Sequence, residues 1–153
     1  SFPTRRSSDL PITSFDRSLD VYSDGSLIVL DARGHTPGHI AALVRTGPEE
    51  YVMLFADGCH HHCLSSVRPE DEHFRFGLFR ADGDSKDEPP TRSYYDDYAE
   101  ASRSVQRMQA LQRRQEVLCV SAHDEVVWKF WGGGDKGWGP ELTGWRERGL
   151  KME

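Results

Sequence analysis

Eight residues in the first half and one in the last third of the chain have side chains able to hold a metal or move a proton in suggestive settings. His35 and His39 stand in Gly34-His35-Thr36-Pro37-Gly38-His39, Asp57 closes an apolar run, Cys59-His60-His61-His62-Cys63 follows at once, and His123 lies in Ser121-Ala122-His123-Asp124. Imidazole is the commonest metal ligand and a carboxylate its usual companion, but both need partners held on rigid elements. Two glycines and a proline around His35 fix a tight backbone path with little side-chain bulk, a way of presenting an imidazole from a strand end.

The elements that must position these residues can be read in order. Residues 19–22 and 26–31 flank Asp24-Gly25, a favoured turn pair, and form an expected β-hairpin whose second strand delivers the chain to His35. Residues 27–30 are continuously apolar, which predicts cover on both faces. Residues 40–45 and 51–56 form a second expected pair around a loop at 46–50, and its second strand ends at Asp57. Residues 94–115 carry Tyr98, Ala101, Val105, Met108 and Leu111 at intervals of three or four, the stripe of a helix packed on a core. Residues 117–120 read as a short buried strand ahead of His123. Thus His35, Asp57 and His123 each follow a strand, and strands running in compatible directions place their ends on one edge.

Taken singly, each residue has a plainer reading: a loop histidine, a helix N-cap at Asp57, an imidazole bonded to backbone. The cluster at 59–63 invites a separate zinc site. Adjacent residues cannot all face one ion, however, and no second pair with finger-like spacing follows. Residues 68–91 are charged, contain Asp82-Gly83-Asp84 and Pro89-Pro90, and read as a long surface loop; residues 128–145 alternate Trp and Phe with glycine. Such a tail packs over a core edge or walls a pocket.

Composition sets the frame. With 153 residues, 37% of them apolar, the chain suits one domain, and a net charge of −6 with interspersed Lys and Arg disfavours nucleic acid. No apolar run approaches the roughly 20 residues of a membrane span. Three cysteines without a disulfide framework fit a reducing, cytoplasmic setting. The first ten residues, Ser1-Phe2-Pro3-Thr4-Arg5-Arg6-Ser7-Ser8-Asp9-Leu10, resemble a translated sequencing adapter, so 1–10 is expected to be a non-native scar and 11–153 a partial domain.

The order Gly34-His35-Thr36-Pro37-Gly38-His39, apolar strand to Asp57, then Ala122-His123-Asp124 resembles the metal motifs in the C-terminal half of the metallo-β-lactamase fold. Lactonase-like hydrolases of that superfamily often read Asp-Ala-x-His where this chain has Asp57-Gly58-Cys59-His60. The resemblance implies an α/β fold, an αββα sandwich of which this chain is mainly the C-terminal half, with one inner sheet face left uncovered. It implies His35 as ligand of one metal, Asp57 as the carboxylate bridging two, His123 as ligand of the other, and His39 as support of the loop. Two zinc ions, or iron, would generate a hydroxide that opens a lactone, ester or amide, with His60 touching the substrate as the tentative catalytic residue. The expected partner is a small-molecule substrate.

One departure is decisive for activity. The family's His-x-His-x-Asp-His run, expected upstream of His35, is nowhere in this sequence. The expectation is therefore a fragment of a metallohydrolase, weak in metal binding and without appreciable turnover. A non-catalytic metal-binding or interaction protein, or an iron-dependent oxidoreductase of the same fold, are the alternatives.

Overall fold

The computed structural model describes residues 14–59, 78–79, 92–123, 143–149 and 151. The adapter-like 1–10, the expected catalytic His60 with its neighbours to Cys63, most of the 68–91 loop and most of the aromatic tail lie outside the described residues. Five strands form one sheet in the order β1 (Ser18–Asp20), β2 (Leu27–Asp31), β3 (Ile40–Gly47), β4 (Glu50–Ala56) and β7 (Val117–Ser121). Neighbours are antiparallel from β1 through β4, whereas β4 and β7 are parallel. A parallel neighbour requires a crossover, and the helix α1 (Tyr98–Gln112) lies on it. Leu78–Phe79 (β5) and Arg92–Ser93 (β6) pair as a separate two-stranded ribbon. The fold is α/β, as expected, with the helix layer on one side of the mixed sheet.

Alternation decides which side chains meet the helix. Ile28, Leu30, Ala41, Leu43, Met53, Phe55 and Val117 face α1, where Ala101, Val105, Met108 and Leu111 bury the predicted stripe, closed off by Phe15. Each of these larger side chains stabilises by about 1.5–3 kcal/mol on leaving water. Val52 and Leu118 point to the other face, where the fully buried Trp145 covers them. Leu27 and Val29 on that same face are half-buried, so the apolar run in β2 has one fully covered face and one partly covered one.

Boundaries differ from the sequence reading for identifiable reasons. The first ladder stops at Asp20 because its carboxylate accepts the Gly25 N–H at 3.0 Å, leaving Val21 and Tyr22 exposed in the connection. The β3–β4 connection shrinks to Pro48-Glu49: Gly47 pairs with Glu50, with Glu49 in the left-handed region. Glu50 is consequently a buried carboxylate that accepts the N–H groups of Gly144 and Arg146, fastening the Trp145 turn to the sheet. The helix begins at Tyr98 rather than residue 94, because Asp97 is extended and caps it, its Oδ1 accepting the Glu100 N–H at 2.9 Å. No helix among the described residues is long and apolar enough to cross a membrane.

Candidate metal site at one sheet edge

Strand direction brings three loops to one edge. Two antiparallel steps separate β2 from β4, so both run the same way, and β7 is parallel to β4. The C-terminal ends of all three, each followed by one of the singled-out residues, therefore lie on the same side of the sheet.

At the end of β4 the ladder is irregular between Leu54 and Ala56, and Ala56 adopts a φ of 49°, a region that L residues rarely occupy. The bend turns Asp57 away from the strand line. Meanwhile the Phe55 carbonyl accepts the Gly58 N–H at 3.1 Å, and the Ala56 carbonyl accepts the Ala122 N–H at 3.0 Å, locking the two strand ends together. His123 is thereby set beside Asp57, with 2.9 Å between His123 Nε2 and Asp57 Oδ1. Both side chains are about half exposed, so the contact is a surface pair of modest strength that solvent can reach.

His35 reaches the edge by a different route. The 32–39 loop is closed by the Ala32 N–H bonding the His39 carbonyl at 3.1 Å, and α1 forms its backing. The Asp96 and Asp97 N–H groups donate to the carbonyls of His35 and Gly34 at 3.2 and 3.0 Å, and Ser104 Oγ donates to the Arg33 carbonyl at 2.8 Å. Gly34 has a φ of 130°, and a Cβ there would lie 2.2 Å from the Ala101 nitrogen, so helix and loop touch backbone to backbone. Gly38 shows no such need: its φ is ordinary and a Cβ would meet nothing within 4 Å. Of the two loop glycines, only Gly34 is required by the geometry.

His39 ties the loop to β4. Its Nε2 lies 3.3 Å from the Phe55 carbonyl, which can only accept, so Nε2 carries the proton. Its ring also meets that of His35 edge-on, with 5.6 Å between centroids and 77° between planes. This is a geometry of support. Asp31, a further carboxylate at this edge, is occupied by Arg33, whose Nε donates to it at 2.7 Å and whose hydrogen bond holds its carboxyl below the usual range.

Asp57 and His123 are therefore brought into contact and His35 stands on the same edge. Among the described residues no three His, Cys, Asp or Glu side chains are gathered tightly enough to hold an ion. Cys59 turns into the helix-facing core. The sequence reading missed Tyr95, a buried ring that meets His35 edge-on at 5.7 Å and 82°. No spacing rule marks it, because it precedes the helix and follows a segment without periodicity.

No family model matches the chain. A Penicillium brevicompactum protein named cytochrome P450 monooxygenase mpaDE' is 33% identical over 136 residues, covering 83% of this chain and 15% of the relative. Metallo-hydrolase mfmC of Annulohypoxylon moriforme is 45% identical over 64 residues, 40% of this chain and 16% of that protein. Gamma-lactamase MBL2 of Gibberella moniliformis is 43% identical over 54 residues, 34% of this chain and 22% of the relative. Among solved structures, an N-acyl homoserine lactone hydrolase superposes with a TM-score of 0.48 at 18% identity, covering 74% of this chain and 36% of the other. The chain thus spans about a sixth of the length of the first relatives it matches. Over part of its length, the chain is related to the metallo-β-lactamase superfamily.

Proposed function

We propose that this chain is part of a metal-dependent hydrolase in which His35, Asp57 and His123 contribute donors to a divalent-cation site at the β2, β4 and β7 strand ends. The observation carrying this reading is the contact of Asp57 with His123 across the ends of two parallel strands. A carboxylate and an imidazole aimed at each other 2.9 Å apart present the donor chemistry that zinc or iron accepts, in solvent's reach. The fit is incomplete, since a tetrahedral site takes about four donors and no group of three is assembled among the described residues. The remaining donors belong to a His-x-His-x-Asp-His run that this sequence does not contain.

A bound cation would supply an acidified water and a polarised carbonyl. The chain's own residues do the rest of what it can contribute. Asp57 offers two oxygens and a negative charge at the centre of the edge, suited to bridging two ions. His123, held by the Ala122–Ala56 hydrogen bond, fixes one side of that carboxylate. His39 braces the His35 loop against the end of β4. His60, three residues beyond Asp57, is the group assigned to touch the substrate's carbonyl or leaving group. The substrate class is a lactone, ester or amide, and the gamma-lactamase name among the relatives supports including a cyclic amide.

A haem-thiolate role, suggested by the monooxygenase name, finds no support in the described cysteines. Cys59 is buried in the core, and the Cys119 sulfur packs against Met53 Sδ, its thiol pushed up to about 12 by burial. Two measurements test the proposal. Zinc titrated calorimetrically into the 153-residue chain is expected to bind weakly, with loss of the signal in Asp57→Asn/His123→Gln, and lactone hydrolysis is expected to be at background. The protein extended through the upstream motif is expected to hold two ions and to turn over. Tight, stoichiometric zinc with robust hydrolysis by the chain as given overturns the split between fragment and whole.

A further inference from the structure

We infer that Tyr95 is a positioning residue that sets the plane of the His35 imidazole before any cation arrives, an inference that rests on His35 facing the proposed site. The imidazole is in contact with two rings. Tyr95 meets it edge-on at 5.7 Å and 82°, and His39 meets it at 5.6 Å and 77°. Edge-to-face contact at such separations is the favoured geometry of aromatic pairs, and two of them leave little freedom for rotation of the enclosed ring.

Both flanking rings are themselves held. Tyr95 is 4% exposed, and its N–H bonds Ser93 Oγ at 3.0 Å. The next two residues, Asp96 and Asp97, bond the His35 and Gly34 carbonyls, so the same short segment that carries Tyr95 also grips the backbone of the residue it orients. His39 is anchored to the Phe55 carbonyl. The sequence treats 94–97 as the first turn of a helix. In the structure it is a strap of successive bends that ends in the extended Asp97 and bonds the His35 loop: were Tyr95 helical, its ring would join the stripe instead of meeting the imidazole.

Orientation matters because an imidazole donates to a cation only along a ring-nitrogen lone pair, so a ring free to turn wastes affinity on ordering. The test uses the full chain with isotope-labelled histidine, the His35 ring signals being assigned by their loss in His35→Gln. In the unsubstituted chain without metal, cross-relaxation between His35 and Tyr95 ring protons is expected, and its absence overturns the inference irrespective of how any variant folds. In Tyr95→Phe the His35 ring signals and zinc affinity are expected to stay as they are. In Tyr95→Leu the ring-current displacement of the His35 signals is lost, the ring relaxes faster, and zinc binds roughly tenfold more weakly. A folded Tyr95→Leu with unmoved His35 signals overturns the inference. The metal reading is separately exposed: if zinc leaves the His35 signals unmoved in the unsubstituted chain, His35 is no ligand, while its orientation by Tyr95 stands or falls on the metal-free spectra.

Discussion

Replacing Gly34 with alanine tests the docking of the His35 loop onto the helix more sharply than removing any side chain. The new Cβ would stand 2.2 Å from the Ala101 nitrogen, 2.3 Å from its Cα and 2.6 Å from its Cβ, and two of these are helix backbone that cannot swing aside. The helix start must retreat or the loop must open, an overpacking cost of about 1–3 kcal/mol. The φ of 130° adds roughly 1–3 kcal/mol, since a residue with a Cβ rarely adopts it. A combined loss of about 4 kcal/mol is a large part of the ~5–15 kcal/mol that holds a domain folded. With a urea slope of about 2 kcal/mol/M, the unfolding midpoint should fall by roughly 2 M, read by far-ultraviolet circular dichroism and by the fluorescence of buried Trp145. Gly38→Ala is the internal control in the same loop, where added bulk meets nothing, and its stability should stay or rise by up to about 1 kcal/mol through the unfolded state, a midpoint gain of no more than about 0.5 M. A Gly34→Ala midpoint within about 0.3 M of the parent, with an unchanged slope, would refute the close approach and the account of how His35 is held.

Three further outcomes follow from particular contacts. Asp57→Asn combined with His123→Gln removes a half-exposed pair, so the stability read by urea should change by less than about 1 kcal/mol while the calorimetric zinc signal disappears; a large stability loss would mean that the pair is a structural element. Asp97→Ala deletes the N-cap acceptor of the Glu100 N–H and should cost about 1 kcal/mol in chemical denaturation, with a midpoint equal to the parent's counting against the cap. Cys119 is protonated in the folded state up to about 12 because burial raises it from an ordinary 9.0. The folded state therefore holds this proton where the unfolded chain has released it, so stability present below pH 9 should decline as the pH climbs toward 12. Thermal melts across that window, compared with Cys119→Ser, read the effect, and identical pH profiles for the two would disprove it.

The strands and their order of chemistry were legible because periodicity and turn residues are local signals. Residues 27–31, 51–56 and 117–120 alternate or run apolar, and His35, Asp57 and His123 follow the points where those patterns stop. What escaped is tertiary. The connection at 46–50 contracted to two residues because Glu50 finds partners in Gly144 and Arg146, almost a hundred positions away. The helix lost its first turn because 94–97 bonds the His35 loop instead of itself. Gly34 and Gly38 look alike in sequence, and only the proximity of Ala101 separates them. Tyr95 had no pattern to belong to, since its partner is defined by where the helix docks.

The parallel pairing of β7 with β4 is what brings Asp57 and His123 together. Had the chain returned by a hairpin, β7 would run against β4 and His123 would follow the opposite strand end. β4 has seven residues, which at about 3.3 Å each separate its ends by roughly 20 Å. A side chain cannot span that gap, so Asp57 and His123 would never meet. The crossover through α1 reverses the direction, and the register Ala56 with Ser121 then sets Ala122 level with Asp57 and His123 one residue further on, within 2.9 Å of the Asp57 carboxylate. The same helix presses Ala101 against Gly34 and lends its leading strap to His35. One element thus delivers His123 to Asp57 and fixes the loop of His35, so the amphipathic stripe, the plainest structural signal in the sequence, underlies the arrangement of all three residues.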